Sequence, residues 1–192
     1  MILYHGSYTT VANPDLRKSA AGKDFGAGFY LTSDHEQAKA FIQTSTLKAI
    51  RTKTISPDHN KGAVSVFEFD ETAPVAIFRF ETTSAEWLQF ISANRRPEIF
   101  SSEALWDIQA RFAGYDIIIG KIADDATNRT ITAYLSGAFG DINSEEAIAD
   151  TIKRLQPERL NDQYCFLTES AIRALSFKEA EYYDIDIKSK RT

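Results

Sequence analysis

The stretch that decides the fold is residues 24–32, which read Asp-Phe-Gly-Ala-Gly-Phe-Tyr-Leu-Thr. Gly26 and Gly28 lie close together, which indicates backbone torsions or backbone contacts that a side chain would prevent. The aromatic run that follows predicts a short strand. Phe29 and Tyr30 then point to opposite faces, so one can enter the core while the other lines a cleft. An exposed tyrosine ring offers a planar heteroaromatic ligand a flat platform. A tight turn followed by two core aromatics is the alternative.

Outward from this stretch, the apolar spacing predicts strands and helices in a mixed order. Two capping boxes, Ser33 with Glu36 and Thr83 with Glu86, each predict a helix start. Three consecutive isoleucines at 117–119 indicate a strand buried on both faces. This mixture predicts an α+β fold in a single domain, residues 1–192. The predicted strands are 2–5, 28–32, 63–69, 75–80, 115–122, 163–167 and 177–187, and the predicted helices are 34–50, 102–113 and segments following Thr83, Ser144 and Thr168.

Charge and hydropathy restrict the classes of partner. The chain has 22 Lys and Arg residues against 27 Asp and Glu residues, a formal net charge of −5. This balance disfavours a generic basic surface for nucleic acids. Arg95–Arg96 and Arg51–Lys53 are local basic clusters that could still guide RNA or DNA, although such clusters are more often solvated faces. No apolar run approaches the ~20 residues of a membrane span, and the N-terminus lacks a signal-peptide pattern. We therefore expect a cytoplasmic protein with no membrane contact.

The histidines and the cysteine argue against a metal site. Cys165 is the one cysteine of the sequence, which excludes a disulfide framework and a multi-cysteine zinc site. His5, His35 and His59 are too widely spaced in the sequence to resemble a ligand set. Cys165 lies in an apolar strand pattern, where a cysteine is usually an inert small hydrophobe rather than a nucleophile.

Two polar residues at strand ends are candidates for ligand binding. In Leu3–Ser7, His5 ends a predicted strand and is followed at once by Gly6. Its two ring nitrogens could hydrogen-bond a ligand, and the glycine would let the ligand approach the backbone. A structural histidine at a turn is the alternative. In the segment 161–169, Gln163 begins a strand and could bind a ligand hydroxyl or simply end the strand.

Taken in order, these segments resemble the ADP-ribosyltransferase superfamily of the diphtheria-toxin and PARP type. Its signature is a strand histidine followed by glycine, a tyrosine on a later strand, and a third polar residue, commonly glutamate, near the end. The set is still more similar to a bacterial family that is classed as a domain of unknown function and is often encoded in toxin–antitoxin-like operons. The match spans residues 3 to 177.

The resemblance implies a split β-sheet core with peripheral helices, holding NAD as co-substrate in a cleft between two small sheets. By this resemblance His5 binds the adenosine ribose, and the backbone of Gly6 contacts the nicotinamide carboxamide. Tyr30 stacks on the nicotinamide ring, and Gln163 occupies the third position. His5, Tyr30 and Gln163 form the expected catalytic set. Gly28, Phe29 and Thr32 complete the expected cofactor-binding set.

The implied activity is that of a bacterial toxin, an NAD-dependent mono-ADP-ribosyltransferase. It would transfer ADP-ribose to a protein or nucleic-acid acceptor, release nicotinamide, and be neutralised by a cognate antitoxin protein. Gln163 departs from the glutamate pattern because a neutral amide can orient a ribose hydroxyl but supplies no charge. The carboxylates that could compensate are Glu169, Asp162, Asp124 and Asp125, the last two in a loop expected at a sheet edge. A catalytically silent NAD- or ADP-ribose-binding or protein-interaction module and an NAD glycohydrolase are the alternatives.

Overall fold

A computed structural model describes residues 1–121, 125–155 and 161–185, without the side chains of residues 125–127. The chain forms two compact units. The first contains Met1–Asp15, Tyr30–Ala73 and the described residues from Ile172 onward, and the second contains Leu16–Phe29 and Pro74–Ala171. Each unit combines helices with strands, so the prediction of an α+β fold is confirmed.

Within its described residues, the first unit contains four strands and one long helix. The strands are β1 (Ile2–Ser7), β2 (Phe29–Thr32), β3 (Lys61–Phe69) and β7 (Leu175–Asp184), and the helix is α1 (His35–Arg51). β1 lies between β2 and β3, β7 pairs with the other edge of β3, and all these pairings are antiparallel. The register places Tyr4 opposite Thr32 and His5 opposite Ser65. His5 therefore lies on a strand with a neighbour on each side.

Helix α1 covers one face of these strands. Its buried residues Ala38 and Ile42 pack with Val64 and Val66 of β3. The helix is capped by Asp34, whose side chain accepts a hydrogen bond from the backbone N–H of Gln37. The predicted capping box of Ser33 with Glu36 was therefore wrong by one residue.

The described part of the second unit contains three strands and most of the helices. The strands are β4 (Ile77–Arg79), β5 (Ile117–Lys121) and β6 (Asp162–Phe166), with β5 parallel to β4 and antiparallel to β6. The α-helices that lie entirely in this unit are α2 (Ala85–Arg95), α3 (Ser102–Phe112), α4 (Asp125–Leu135) and α5 (Glu145–Leu155). Short 3₁₀ helices cover Leu16–Lys18 and Pro97–Ile99, and α6 (Glu169–Arg173) begins in this unit.

Aromatic rings dominate the core of the second unit. Neighbouring ring centroids in this cluster lie between 4.2 and 6.2 Å apart, distances at which edge-to-face and offset contacts stabilise the packing. The cluster includes Phe25, Phe78, Phe80, Phe90 and Phe112. Ile117, Ile118 and Ile119 are at most 3% exposed, which confirms the prediction of a strand buried on both faces. Phe25 is therefore a core residue.

Two sequence-based expectations for this unit were wrong. Ser84, not Thr83, caps α2 by accepting from the N–H of Trp87. The Thr83 hydroxyl is buried and has no hydrogen-bond partner in the described part of the chain. Asp125, expected in a loop, is the first residue of α4. Asp124 lies outside the described residues.

The described ranges contain neither a membrane-spanning helix nor a cluster of metal-ligating side chains. None of the helices there has both the length and the apolar character needed to cross a membrane. Over the same ranges, no group of three or more histidine, cysteine, aspartate or glutamate side chains is arranged to hold a metal ion.

Candidate functional site

The ring of His5 is held by the backbone of the neighbouring strand. Its Nδ1 lies 2.8 Å from the carbonyl oxygen of Tyr30. Because a carbonyl oxygen only accepts, Nδ1 carries the proton and donates. In the neutral imidazole, Nε2 is then the acceptor, which suits a ligand hydroxyl. The structure thus brings His5 and the backbone of Tyr30 together within the first unit, and both residues are half-buried.

Thr32 lies on the same strand as Tyr30 but is engaged elsewhere. It is buried, and its hydroxyl donates to Oε1 of Gln37 over 2.6 Å. The same oxygen accepts from the backbone N–H of Asp34 at 3.1 Å. These two bonds tie the end of β2 to the start of α1. The geometry therefore gives Thr32 a structural role, and its predicted contact with the cofactor stays a prediction.

Gly6 of β1 lies directly against the backbone of α1. A Cβ atom built on Gly6 would lie 1.8 Å from the carbonyl oxygen of Ala38. A glycine is needed here because the helix backbone occupies the space that a side chain would fill. This packing reason is independent of any ligand, and the predicted contact between Gly6 and a carboxamide stays a prediction.

The two glycines of the 24–32 segment are required for two different physical reasons. Gly26 has a φ of +96°, a left-handed conformation that favours glycine, and its carbonyl accepts from the N–H of Gly28 at 3.1 Å. A Cβ on Gly28 would lie 2.4 Å from Sγ of Cys165 and 2.8 Å from the carbonyl oxygen of Phe166. Gly28 therefore allows close packing within the second unit. Phe29, which follows it, is half-buried.

Gln163 belongs to a network of polar side chains in the second unit, which we call the Asp24 network: Asp24, Arg95 and Gln163. Nε2 of Gln163 donates to Oδ2 of Asp24 over 3.2 Å. Nε and Nη2 of Arg95 lie 2.7 and 2.6 Å from the other carboxylate oxygen, Oδ1. Gln163 is only 6% exposed and Asp24 only 9%. Such enclosure strengthens these interactions relative to water.

Sequence reasoning missed the role of Asp24 and misjudged Arg95. Asp24 belongs to the glycine-rich segment, but its partners lie 71 and 139 residues away in the chain. Arg95 was paired with Arg96 as a basic cluster, yet Arg95 binds Asp24 and Nη1 of Arg95 donates to Asn128, while Arg96 binds Glu98. An arginine directly after an apolar helical stripe was the one local signal of an inward-facing cation.

Of the carboxylates predicted as substitutes for a glutamate, Asp162 is paired with basic side chains and Glu169 is exposed. Asp162 binds Nη1 of Arg79 at 2.8 Å and Nζ of Lys121 at 3.0 Å. Glu169 is exposed in the first turn of α6. The carboxylate that does hydrogen-bond Gln163 is that of Asp24.

Cys165 is fully buried, and its sulfur lies 3.9 Å from the carbonyl oxygen of Phe25. This environment gives a nucleophile no access to solvent or ligand. The interpretation of Cys165 as an inert core residue agrees with its burial.

A second polar cluster lies in the first unit, around His35 at the start of α1. Nε2 of His35 is 2.6 Å from Oε2 of Glu181, and the Tyr183 hydroxyl donates to the same oxygen at 2.5 Å. The hydrogen bond to Glu181 raises the pKa of His35. The bonds from Tyr183 and His35 lower the pKa of Glu181, and the pKa of Tyr183 is raised to about 12, chiefly by its bond to Glu181.

Comparison with known proteins identifies a family rather than an activity. One family model, described as "Protein of unknown function (DUF3990)", matches residues 1–177. No curated protein and no solved structure matches the chain. The matched range includes His5, Tyr30, Asp24 and Gln163.

Proposed function

The chain belongs to the DUF3990 family of proteins of unknown function, and we propose that it is an NAD-dependent mono-ADP-ribosyltransferase. In this proposal the protein acts as a bacterial toxin on a macromolecular target in the cytoplasm. Its fold would then be the split-sheet arrangement of that superfamily.

The observation that carries the proposal is the contact between His5 and Tyr30. The 2.8 Å bond from Nδ1 to the Tyr30 carbonyl fixes both the tautomer and the direction of the imidazole. A histidine fixed in this way offers Nε2 to a ribose hydroxyl. Tyr30 follows Gly28 and Phe29 on the short strand β2, and its half-buried ring can stack on nicotinamide.

The reaction breaks the bond between nicotinamide and C1 of its ribose. The bonding electron pair leaves with nicotinamide, and the ribose ring acquires oxocarbenium character, as in glycoside hydrolysis. A nucleophile of the acceptor then attacks C1 and loses its proton. His5 and Tyr30 would bind and orient the dinucleotide, and Gln163 would accept a hydrogen bond from a ribose hydroxyl.

Gln163 also determines which kind of transfer we propose. Its amide is neutral, and the carboxylate that it contacts, Asp24, is already bound to Arg95. The transfer of one ADP-ribose, without chain elongation, fits a third position that holds a neutral amide whose carboxylate partner is already paired with an arginine. The same observation favours a second candidate, a catalytically silent module that binds NAD or ADP-ribose or only a protein partner.

The test uses purified protein, NAD labelled on the adenine side, and cell lysate divided into protein and nucleic-acid fractions. We expect label in one fraction and an equal amount of nicotinamide released, which would also establish the acceptor class. His5→Ala and Tyr30→Ala should each lower nicotinamide release by at least about tenfold, the equivalent of one lost hydrogen bond or ring contact.

Matched controls separate a site effect from a structural one. His59→Ala removes another half-buried histidine of the first unit, whose Nε2 lies 2.9 Å from the Tyr8 carbonyl oxygen. Tyr182→Ala removes a tyrosine that is 71% exposed. Both controls should keep full nicotinamide release. If His5→Ala and Tyr30→Ala are as active as these controls, the site assignment is wrong.

The product pattern separates the candidate functions. Free ADP-ribose as the sole product would identify an NAD glycohydrolase. NAD binding without release of nicotinamide, measured by calorimetry, would identify the silent module. We further propose that a cognate antitoxin protein neutralises the activity, and co-expression with neighbouring genes that relieves growth arrest is the test.

A further inference from the structure

The Asp24 network controls which atom of Gln163 can meet a ligand. A carboxylate oxygen accepts hydrogen bonds and donates none, so Gln163 must point its NH₂ group at Oδ2 of Asp24. Oε1 is then the remaining polar atom of the amide. This orientation follows from chemistry alone, since the reversed amide would place two acceptors 3.2 Å apart.

Arg95 keeps Asp24 in place. Two of its nitrogens engage Oδ1, so the carboxylate divides its two oxygens between Arg95 and Gln163. Asn94, the preceding residue of α2, donates to the backbone carbonyl of Asp24 at 3.1 Å. Both the side chain and the backbone of Asp24 are therefore held by one end of α2.

From this arrangement we infer that Asp24 is a positioning residue that fixes the orientation of the Gln163 amide, with its NH₂ group on Asp24 and its oxygen Oε1 available as an acceptor. Oε1 then accepts a hydrogen bond from a hydroxyl or N–H group of the ligand. That the donor is a ribose hydroxyl of NAD rests on the proposed function. The orientation of the amide does not.

Exchanging the amide and the carboxylate tests this inference. In Asp24→Asn, the side-chain oxygen at position 24 must face Arg95 because a guanidinium only donates, so the side-chain NH₂ faces Gln163. The amide of Gln163 then turns over and presents a donor to the ligand. We expect kcat for nicotinamide release to fall by at least about tenfold while KM stays within about threefold.

A double variant moves the carboxylate from position 24 to position 163. Its single component Gln163→Glu places two carboxylates next to each other and should also have a lowered kcat, since like charges at this distance repel. In Asp24→Asn combined with Gln163→Glu, the amide introduced at position 24 bridges Arg95 and the new carboxylate, which is again an acceptor for the ligand. The double variant should recover at least about tenfold in kcat over Asp24→Asn. Asp150→Asn, which removes an exposed carboxylate of α5 that binds Arg154, is the control and should change neither kcat nor KM.

An NMR measurement tests the inference without depending on enzymatic activity. The side-chain NH₂ signals of Gln163, assigned sequentially and by their loss in Gln163→Glu, should exchange slowly in the wild type. They should move in Asp24→Asn and stay in place in Asp150→Asn. A rapidly exchanging wild-type amide would overturn the inference even if every Asp24 variant fails to fold.

The outcomes for the two proposals are distinguishable. A wild-type protein that releases no nicotinamide contradicts the proposed function, while the NMR experiment still decides the role of Asp24. Two results would overturn the inference while leaving the proposed function intact. One is an active wild type whose Gln163 NH₂ signals do not move in Asp24→Asn, and the other is a double variant whose kcat is no higher than that of Asp24→Asn.

Discussion

Replacing Gly6 with alanine tests whether this glycine serves the packing of α1. In the structure the added Cβ would lie 1.8 Å from the carbonyl oxygen, 2.7 Å from the carbonyl carbon and 3.3 Å from the Cα of Ala38. These are backbone atoms of a helix, so no side-chain rotation can relieve the overlap. Either α1 or β1 must move.

The size of the effect follows from the required displacement. Ordinary carbon–oxygen contacts begin at about 3.3 Å, so the two backbones must separate by roughly 1.5 Å at this point. That movement would loosen the packing of Ala38 and Ile42 on β3. Overpacking of a core costs about 1–3 kcal/mol, and a backbone clash belongs at the upper end. For a chain of this length, about 3 kcal/mol lowers Tm by roughly 6–12 °C.

The assay is thermal and urea unfolding followed by circular dichroism, with Gly114→Ala as the control. Gly114 is exposed, and a Cβ built there meets no atom within 4 Å. Its substitution should change the unfolding free energy by less than about 1 kcal/mol. A Gly6→Ala protein as stable as Gly114→Ala would refute the packing argument and leave ligand approach as the reason for this glycine.

Three further predictions concern polar groups and the cysteine. Arg95→Met leaves the Asp24 carboxylate without its cation, and because this ion pair is largely buried, urea unfolding should show a loss of about 3 kcal/mol; a loss under about 1 kcal/mol would contradict the pairing. The pKa of His35, followed by NMR, should lie above the ordinary value of 6.5, and Glu181→Gln should lower it because the bond to Glu181 is the largest cause of the shift. Because the folded pKa of His35 is raised, the stabilisation from this contact is fully present below pH 6.5 while Glu181 is ionised, and it is lost as pH rises through the folded pKa of His35. Cys165 should react with a thiol reagent only in denaturant, and rapid native-state reaction would contradict its burial.

Local sequence patterns predicted most strands and helices and the cap of α6 by Thr168, but not the caps at the two predicted capping boxes. At both predicted capping boxes two adjacent residues could cap, and the second does so: Asp34 rather than Ser33, and Ser84 rather than Thr83. The choice depends on contacts outside the pattern. At α1, the Thr32 hydroxyl accepts from the N–H of Asp34 and so determines where the strand ends.

Helix α4 shows why one element could not be predicted. Its sequence is rich in threonine and contains asparagine, both of which have low helix propensity. The helix buries Ile131 and Tyr134 almost completely, and the Tyr134 hydroxyl donates to the carbonyl of Ile142. Tertiary burial thus outweighs a weak local preference, and that contribution is invisible in the sequence alone.

The candidate site was predictable where each residue lies in a local sequence motif, and it was hidden where a residue's role depends on partners far away in the chain. His5 and Tyr30 were singled out by their motifs, and the structure joins them by one hydrogen bond. The contacts of Asp24 with Arg95 and Gln163 cross 71 and 139 residues, and no spacing rule connects such positions. Gly6 was predicted as a ligand-facing glycine, but the physical reason that the structure supplies is helix packing.

The glycines and the polar residues of the candidate site therefore differ in how strongly they support a bound ligand. Gly6 and Gly28 are each explained by a steric contact, so neither requires a ligand. Gln163 is different. Arg95 already meets one oxygen of the Asp24 carboxylate with two nitrogens, and enclosing a further polar amide beside this ion pair has a desolvation cost that an apolar side chain would avoid. A ligand that uses the oriented oxygen of that amide supplies a reason for the arrangement, which is why the proposed activity depends more on Gln163 than on the glycines of the motif.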